Sequence, residues 1–453
     1  MRDMLLGRLV NTLPSGWLWK QFGELVTHSQ NGISKRRSAI GNPTPVLRLA
    51  DIREGMINES APRDIKLSDE EVNKYVLRDG DLLCVRVNGS RSLTGRLVYV
   101  RTHNVWAYCD HFIRFRLKHE ITEPKYVVYY FNTQVVRAYL SKHMVSTAGQ
   151  NTVSQGTMLG VAVPVAPLDQ QQVIVSELEK QFSRLDESIA NLKRVKANLK
   201  RYKAAVLKAA VEGKLAPTAG PWKQVALGDV TTSIRNGYSK KPDAEQGTRI
   251  FRISAVRTMK LDTNDVRYLS GTPADYEPFL IEPGDVLFTR YNGNRDYVGV
   301  CARVPASLPP TVYPDKLIRV RVPSSMLLPE FLVILASTGR AREYIESKIR
   351  TTAGQSGISG GDLKVLPLDI PRVTEQLQIV AEVERRMSVV EELQASVQAN
   401  LTRADRLRQT ILSQAFSGRL LGQDTKHIPD ILPTFSVAAE SQARYGRDDR
   451  ARR

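Results

Sequence analysis

The chain of 453 residues has few of the features that mark a membrane-spanning, secreted or disulfide-bonded protein. Its cysteines are odd in number and lack metal-ligand spacing, which predicts reduced thiols packed in the interior. They are Cys84, Cys109 and Cys301. The longest purely apolar run, residues 331–336, is far shorter than the roughly 20 residues of a membrane span. The first ten residues are too weakly apolar for a signal peptide, so we expect a cytoplasmic protein.

The patterns of common catalytic and cofactor sites are also missing. There is no Gly-x-x-x-x-Gly-Lys-Ser/Thr loop for ATP and no Gly-x-Gly-x-x-Gly cofactor loop. The Asn-Pro-Pro-aromatic motif of adenine methyltransferases is absent, and Asn42-Pro-Thr-Pro45 suits a turn. The acidic residues of Pro242-Asp-Ala-Glu245 lack the downstream lysine of a metal-dependent nuclease. We therefore expect no catalytic residue, no metal and no bound cofactor in this chain.

What the chain does have is an excess of positive charge. Its 65 Lys and Arg residues against 47 Asp and Glu give a net charge of +18, with a pI near 9.8. An excess this large favours a polyanionic partner, with nucleic acid first and an anionic membrane second. The apolar and charged fractions, 42% and 25%, are those of a globular protein, and the length predicts two to four domains.

The sequence repeats itself at an offset of 205 residues, which slips to 204 in between. The matches at 205 residues are Trp17 and Trp222, Asn31-Gly32 and Asn236-Gly237, Arg114 and Arg319, Thr147-Ala-Gly-Gln150 and Thr352-Ala-Gly-Gln355, Gln171 and Gln376. The match at 204 residues is Asp79-Gly-Asp-Leu-Leu83 and Pro283-Gly-Asp-Val-Leu287. A period this long predicts a duplicated domain and not a solenoid. Asp110-His111 resembles an acid–base pair, but its counterpart is Asp315-Lys316. Histidine chemistry is therefore not shared between the copies.

Each copy combines short β-rich runs with one helical stretch. The predicted strands are Val46–Leu49, Leu82–Val87, Gly95–Val100 and Phe112–Leu117, then Ile250–Ile253, Asp285–Phe288, Val298–Val304 and Leu317–Val322. The helical stretches are Pro124–Lys142 and Pro329–Ile349. The fold class predicted from this pattern is α+β, with two tandem α/β domains.

Each copy then ends in a long helix of about 40 residues, or about 60 Å. The apolar positions of the first helix form nearly a heptad seam: Ile174, Leu178, Phe182, Leu185, Ile189, Leu192, Val195, Leu199, Tyr202, Val206 and Ala210. The second seam is interrupted at Gln394, Asn400 and Ala404, and Gly213 and Gly418 should close the helices. Each helix packs either on its own domain or on the other helix. The length favours an antiparallel coiled coil and a pseudo-two-fold relation between the copies.

These patterns divide the chain into five segments. We predict a first target-reading domain at 1–167, a first long helix at 168–214, a second domain at 215–372, a second long helix at 373–420, and a mobile basic tail at 421–453.

Three loops recur in both copies and combine glycine with hydrogen-bond donors. The first carries cations suited to phosphate contacts: Lys35, Arg36 and Arg37, matched by Lys240 and Lys241. The second carries Arg and Asn, which can read guanine and adenine edges: Arg86, Asn88 and Arg91, matched by Arg290, Asn292, Asn294 and Arg295. The third contains Gln150 and Gln355. Each loop also has a purely structural alternative. The first could be a solvated turn, the second an Asn-Gly hairpin, and the third the connection by which the chain leaves the preceding helix.

The copies differ between these anchors, which predicts two different half-sites and therefore an asymmetric bipartite target. If a two-fold relates the copies, the half-sites should lie about 10 base pairs apart, centre to centre.

The layout resembles the specificity subunit of type I restriction–modification systems over about residues 11–420. The resemblance rests on the order of several modest motifs, most of them duplicated: Leu13-Pro-Ser-Gly-Trp17 at the start, the two Gly-Asp motifs, the two Thr-Ala-Gly-Gln loops, the helix openings that include Gln171 and Gln376, and the helix closings that include Gly213 and Gly418.

This resemblance implies a subunit without catalytic activity that reads double-stranded DNA. Two methyltransferase subunits would bind its helices, and restriction–translocase subunits would join that core. S-adenosylmethionine, ATP and Mg²⁺ would be used by those partners, and an adenine in each half-site would be flipped and methylated at N6. Two other functions stay open from the residues alone: a stand-alone DNA-binding regulator or architectural protein, and a coiled-coil scaffold.

Overall fold

The computed structural model describes residues 13–36, 41–53, 56–58, 63–102, 104–217, 220–352 and 354–420. Arg37 and the tail predicted at 421–453 lie outside these ranges. The chain folds into two compact units. The first consists of the described residues up to Ile189 together with those from Thr402 onward, and the second is Ala190–Leu401. Each unit therefore contains one stretch of each long helix.

The first unit contains short strands and helices ahead of the first long helix. Its strands are β1 (Leu18–Gln21), β2 (Val26–Asn31), β3 (Asn42–Leu47), β4 (Ile52–Arg53), β5 (Met56–Ile57), β6 (Arg63–Leu67), β7 (Leu82–Val85), β8 (Val87–Asn88), β9 (Leu97–Tyr99), β10 (Ala107–Tyr108), β11 (Phe112–Leu117), β12 (Val145–Thr147), β13 (Gln150–Thr152) and β14 (Ala162–Val165). Its helices are α1 (Phe22–Leu25), α2 (Asp69–Tyr75), α3 (Pro124–Phe131), α4 (Gln134–His143) and α5 (Gln155–Leu159), and α6 (Leu168–Val211) is the first long helix. A 3-10 turn covers Leu49–Asp51.

The second unit repeats this order. Its strands are β15 (Lys223–Ala226), β16 (Ser233–Asn236), β17 (Thr248–Phe251), β18 (Val256–Arg257), β19 (Lys260–Leu261), β20 (Val266–Leu269), β21 (Val286–Thr289), β22 (Tyr291–Asn292), β23 (Cys301–Arg303), β24 (Thr311–Val312), β25 (Leu317–Arg321), β26 (Arg350–Thr352), β27 (Gln355–Gly357) and β28 (Pro367–Ile370). Its helices are α7 (Pro329–Ser337), α8 (Gly339–Lys348) and α9 (Gly360–Lys364), and α10 (Val373–Phe416) is the second long helix. The 3-10 turns are Leu227–Val230, Ile253–Ala255, Pro273–Phe279 and Arg295–Tyr297.

Corresponding strands build corresponding sheets in the two units. The central sheet has the order β2-β11-β7-β9 in the first unit and β16-β25-β21-β23 in the second. A small sheet, β12-β13-β8, is matched by β22-β27-β26, and β1-β14 is matched by β15-β28. A third pair of sheets, β10-β3-β6 and β20-β17-β24, contains one parallel pairing each. The predicted mixture of helix and strand and the duplication are therefore confirmed.

The duplicated Gly-Asp motif is a turn that places a buried carboxylate beside the central sheet. Gly80 and Gly284 both have a φ of 87°, a backbone conformation that favours glycine. The next residue in each motif, Asp81 or Asp285, is almost fully buried. Arg116 Nε donates to Asp81 at 2.9 Å, and Arg321 Nε donates to Asp285 at 2.7 Å. A buried carboxylate is stable only when paired in this way, which explains why both residue types recur.

Strand β11 contains a buried arginine. Arg114 is only 1% exposed, whereas arginine is almost never fully buried unless it is paired. Its Nη1 donates to the carbonyl oxygens of Lys74 and Val76 at 3.2 and 2.8 Å, and its guanidinium lies 5.6 Å from the ring of Tyr108. Burial lowers the pKa of Arg114, and Tyr108 opposes this shift. The arginine side of this strand is therefore interior, because loop carbonyls replace water around the cation.

Each predicted helical stretch before the long helices is two helices. In the first unit the break falls at Asn132–Thr133, and Thr133 Oγ1 accepts the backbone N–H of Val136 as the cap of α4. In the second unit Gly339 follows the break with a φ of 62°. A capping hydroxyl and a left-handed glycine both interrupt the helical backbone, which explains the two breaks.

The long helices are fastened to their domains by a buried glutamine. Gln171 and Gln376 are 0% exposed. Gln171 accepts the N–H of Glu123 and donates to the carbonyls of Ile121 and Ala166, all between 2.7 and 3.0 Å. Gln376 makes the corresponding three bonds with Leu328, Met326 and Pro371. At the other end Gly213 and Gly418 have φ values of 68° and 74°, so the predicted glycine closure of both helices is confirmed.

The two long helices pair antiparallel within each unit. In the second unit Lys196 Nζ donates to Gln398 Oε1 at 2.9 Å, whereas Val206 and Ala210 share a core cluster with Ile379 and Val383. Later positions of α6 therefore meet earlier positions of α10. In the first unit Arg408 pairs with Asp186 and lies over the ring of Phe182.

The predicted seam is correct at some positions and wrong at two. Leu192 and Leu199 pack against Val390 and Val397 in a core cluster. Val195 and Tyr202, both predicted to lie in the seam, are 40% and 46% exposed. Ala404, predicted to interrupt the second seam, is buried. Because an α-helix turns by about 100° per residue, a pairing seam two positions wide leaves flanking apolar residues on the surface. No helix in the described ranges is long and apolar enough to cross a membrane.

Candidate nucleic-acid interface

The first and second predicted loops meet at one tight turn, residues 109–111. In the first unit Ile33 N–H donates to the Tyr108 carbonyl and Asp110 N–H donates to the Ile33 carbonyl, both at 2.9 Å. The guanidinium of Arg36 donates to both carboxylate oxygens of Asp110 at 2.8 and 3.2 Å. Burial raises the pKa of Asp110, but the hydrogen bonds and charge of Arg36 outweigh it, and the pKa is lowered overall. The ion pair between Arg36 and Asp110 therefore holds the first loop against this turn at neutral pH.

An arginine of the second loop reaches the same turn in each unit. Arg86 Nη1 donates to the Asp110 carbonyl at 3.2 Å, and Arg290 Nη1 donates to the Asp315 carbonyl at 3.3 Å. Arg290 also lies 4.6 Å from the ring of Tyr291. Neither side chain is fully exposed. One part of each guanidinium braces the loop, and the planar fork retains further N–H donors.

The third predicted loop is the tip of a β-hairpin in the small sheet. Strand β13 pairs with β12 on one side and with β8 on the other, so Asn151 lies opposite Asn88. The side chain of Asn151, which is buried, donates to the carbonyls of Asn88 and Gly89 at 3.3 and 3.0 Å. The same sheet in the second unit pairs Asn292 with Ser356. The second and third loops therefore form one surface in each unit.

The tip of this hairpin presents glutamine to solvent. Ala148 and Gly149 have φ values of 47° and 77°, the left-handed pair of a two-residue hairpin turn. Gln150 and Gln355 are exposed at the equivalent positions. The interpretation of this stretch as the exit from the preceding helix is only partly correct, because the stretch is an ordered hairpin and not an irregular connection.

The asparagines of the second loop form local turns. Asn88 Oδ1 accepts the N–H of Ser90 at 2.8 Å, and Asn292 Oδ1 accepts the N–H of Asn294 at 2.9 Å. The side chain of Asn294 in turn accepts from Asp296 at 2.9 Å. These bonds fix the loop backbone and orient the amide groups before any ligand is bound.

The other two predicted arginines tie the second loop to a helix end. Arg91 Nη2 donates to the Ser141 carbonyl at 2.7 Å, and Arg295 Nη2 donates to the Glu346 carbonyl at 3.2 Å. Ser141 and Glu346 lie 205 residues apart, so both contacts belong to the repeat. The two guanidiniums occupy terminal helix carbonyls, which a cation satisfies well.

Sequence reasoning missed a further duplicated arginine that supports the second loop. Arg137 Nη2 donates to the carbonyls of Arg91, Ser92 and Thr94 at 3.1, 3.1 and 2.8 Å. Arg342, its counterpart at the same offset, donates to Val298 at 3.0 Å. Burial lowers the pKa of Arg137. The identical offset of these two arginines was the available signal.

The surroundings of the first loop differ between the units. In the first unit a recess of about 280 Å³ is lined by four cationic side chains and a histidine, with an apolar floor. These side chains are Lys35, Arg36, Arg48, Arg63 and His111. In the second unit the corresponding loop places Tyr238 against Tyr276 and Phe279, with ring centroids 5.2 and 5.5 Å apart. Lys240 and Lys241 are exposed beside this aromatic group. The two units therefore present different chemistry on the same backbone plan.

One group of described residues has metal-ligand atoms close together, at Cys109, Asp110 and His111 within 4.8 Å. The residues fit a cation poorly. Arg36 already occupies the carboxylate of Asp110, and burial raises the pKa of the Cys109 thiol, which keeps its proton. Cys84 and Cys301 are buried, as the prediction of packing residues expected.

No family model matches the chain. It is similar, however, to curated specificity subunits along its length. The EcoKI specificity subunit of Escherichia coli K12 is 28% identical over 452 residues, covering 94% of both chains. The StySPI specificity subunit of Salmonella potsdam is 37% identical over 169 residues, or 37% of this chain and 36% of that one.

Solved structures show the same fold. A chain from a study of complex assembly and conformational transition of the type I R-M system superposes with a TM-score of 0.70 at 19% identity, covering 90% of this chain and 99% of that one. The HsdS subunit of Thermoanaerobacter tengcongensis gives a TM-score of 0.51 at 18% identity, with the same coverage. With its duplicated loops, its two long helices and these relatives, the chain is a homologue of the specificity subunits of type I restriction enzymes and has the HsdS fold.

Proposed function

We propose that this chain is the DNA-recognition subunit of a type I restriction–modification complex and that each unit reads one half of an asymmetric, bipartite site. The observation that carries the proposal is the three-loop surface, which recurs on the same backbone plan with different side chains. The fixed bonds at Asp110 and Asp315 hold the backbone, while the surrounding residues change from cations to aromatics. A common frame with variable side chains suits the reading of two different sequences.

The side chains of the loops suit two kinds of DNA contact, one with the phosphate backbone and one with base edges. Lys240 and Lys241 are exposed cations suited to the phosphate backbone. Lys35 is also exposed and would exchange its ion pair with Glu71 for a phosphate. Gln150 and Gln355, at the hairpin tips, can make the paired hydrogen bonds that adenine accepts and donates in the major groove. The side chains of Arg86 and Arg290 are held by hydrogen bonds to the Asp110 and Asp315 carbonyls. This restraint lowers the conformational entropy that they lose when they bind a base edge.

The chemical reactions belong to partner subunits in this proposal. Two methyltransferase subunits use S-adenosylmethionine to methylate an adenine of each half-site, and restriction subunits use ATP and Mg²⁺. The flank of the helix pair in the second unit supports a docking role, because it exposes Val195, Tyr202 and Val389. Val195 and Tyr202, seven residues apart, lie on one face of α6, and Val389 is next to Val390, which packs against α6.

The proposal is tested by a base-resolution map of N6-methyladenine in the host genome, with and without this gene. We expect a two-part asymmetric motif to lose its methylation completely on deletion and to regain it on complementation. An unchanged map, in a host that expresses the partner methyltransferase, contradicts the proposal and favours a DNA-binding protein outside modification.

Docking of the methyltransferase on the exposed flank makes a second prediction. Val195→Glu with Tyr202→Glu places two carboxylates in an apolar contact, and we expect at least about a thirtyfold loss of assembly, which corresponds to about 2 kcal/mol for a central interface position. Co-purification of the subunits and the rate of motif methylation measure it.

The control for this variant is Val135→Glu, on a helix of the first unit, because Val135 is 41% exposed and as apolar as Val195. It should assemble and methylate as the wild type does. Equal losses in both variants would assign the effect to general destabilisation and would refute the docking surface.

A further inference from the structure

The C-terminal half of the first long helix carries an uncompensated positive charge. Between Ser188 and Val211 the sequence contains no aspartate or glutamate. It contains seven cations in the same stretch: Lys193, Arg194, Lys196, Lys200, Arg201, Lys203 and Lys208. Within the described ranges Lys193, Arg194 and Arg201 make no ion pair, and Lys208 has one exposed partner, Glu212, at 3.7 Å. The helix dipole favours cations only in the last turn, so it does not account for Lys193 to Arg201.

The outward face of this stretch consists of cations and alanines with one asparagine. At about 100° per residue, the positions opposite the buried Leu192 and Leu199 fall on one broad face. That face holds Lys193, Arg194, Ala197, Asn198, Arg201, Ala204, Ala205 and Lys208, all exposed. The apolar flank with Val195 and Tyr202 lies beside the helix-pairing seam and is not part of the outward face. Alanine leaves room between the charged side chains for a surface to approach the helix closely.

The repeat shows that pairing of the long helices does not require this face. The residues 205 positions later in α10 are Gln398, Ala399, Thr402, Arg403, Arg406, Gln409, Thr410 and Ser413. This face of α10 has two cations, Arg403 and Arg406, whereas the first helix has four. A face that served only to keep the helix soluble would have no reason to differ so strongly between the copies.

We infer that this face, the basic face of α6, binds the phosphate backbone of the DNA between the two half-sites. The inference rests on the proposed function and adds to it a contact without sequence preference. From Lys193 to Lys208 the face is about 22 Å long at 1.5 Å per residue. That length matches about six or seven base pairs at 3.4 Å each. A spacer of this size agrees with half-sites centred about 10 base pairs apart.

The chemistry favours DNA over an acidic protein. A protein partner buries apolar side chains at the centre of its contact, and this face exposes none larger than alanine. Regularly spaced phosphates require only cations and close approach. Binding there releases counterions, so the contact contributes a defined salt dependence.

The test compares two double variants of equal charge change in the same unit. Arg194→Gln with Arg201→Gln removes two cations from the basic face, and Arg385→Gln with Arg386→Gln removes two cations that already pair with Glu382. Glutamine keeps the helix propensity in both. The probe is a duplex with the motif obtained from the methylation map, bound by the assembled complex over a range of salt concentrations.

We expect the first variant to lower the slope of log Kobs against log salt by one to two, at about 0.9 per lost phosphate contact, while the control keeps the wild-type slope. Neutral methylphosphonate linkages in the spacer should weaken binding by the wild type more than binding by this variant, which has already lost two of the four cations. Motif preference should persist in both variants.

Three results would overturn the inference. An unchanged slope and unchanged assembly would assign the face to solvent. Weaker assembly with an unchanged slope would assign it to an acidic surface of a partner protein. If methylphosphonate linkages in the spacer weakened DNA binding by the wild type and by the variant equally, the phosphate contact would lie elsewhere on the protein. Failure of the proposed function is distinct, because the wild type would then show no preference for the motif.

Discussion

Replacement of Arg86 by glutamine is expected to weaken recognition of one half-site and to leave the other intact. Arg86 braces the second loop against the Asp110 carbonyl at 3.2 Å, and its guanidinium retains further N–H donors for a base edge. Loss of a guanidinium that reads a base edge costs about 1–3 kcal/mol, or roughly 5- to 150-fold in affinity. Competition between duplexes altered in one half-site at a time measures the effect.

The matched control is Arg290→Gln, because Arg290 makes the same bond to the Asp315 carbonyl at 3.3 Å. It should affect the opposite half-site. Arg86→Lys separates the two roles of the side chain, since lysine retains the charge and loses the planar fork. If either glutamine variant weakened both half-sites equally, the modular assignment of one half-site to each unit would fail.

Replacement of Arg321 by methionine is expected to destabilise the second unit by about 3 kcal/mol. Arg321 Nε and Nη2 donate to Asp285 at 2.7 and 2.9 Å, and the side chain of Asp285 is 1% exposed. Removal of one partner leaves a carboxylate buried without its main counter-charge, which costs far more than the pair contributes. Urea unfolding monitored by a probe in the second unit measures the loss.

Two further variants make this prediction specific. Asp285→Asn in the Arg321→Met background removes the stranded charge and should restore more than half of the lost stability. Arg252→Met, which breaks the exposed pair with Asp265, should cost less than about 1 kcal/mol. An Arg321→Met loss as small as that of Arg252→Met would show that the buried pair is dispensable.

Local signals were sufficient for several parts of the fold. Gly213 and Gly418 were predicted to close the long helices, and their positive φ values follow from the freedom of glycine. The strand Phe112–Leu117 has the predicted bounds. These features depend on a few neighbouring residues, so a sequence pattern contains most of the information that forms them.

The candidate site was harder to predict, because its residues meet across long distances in the chain. The loops were found by their repetition, but nothing in the sequence pairs Asn151 with the backbone of Asn88 or brings Arg86 to Asp110. Arg91 and Arg295 were predicted to read bases, and both donate to helix-end carbonyls. Arg137 was missed, although its offset from Arg342 was visible, because its function depends on three carbonyls of another loop.

The sequence by itself determined the duplication, the mixed helix and strand content, the two long helices and the basic character of the chain. Each of these is a periodicity or a composition, which the order of residues records directly. Only the tertiary structure decided that Val195 and Tyr202 face solvent, that Arg114 is interior, and that two separate loops of each unit share one small sheet. The physical reason is that burial depends on what covers a residue, and the covering groups here come from distant parts of the chain.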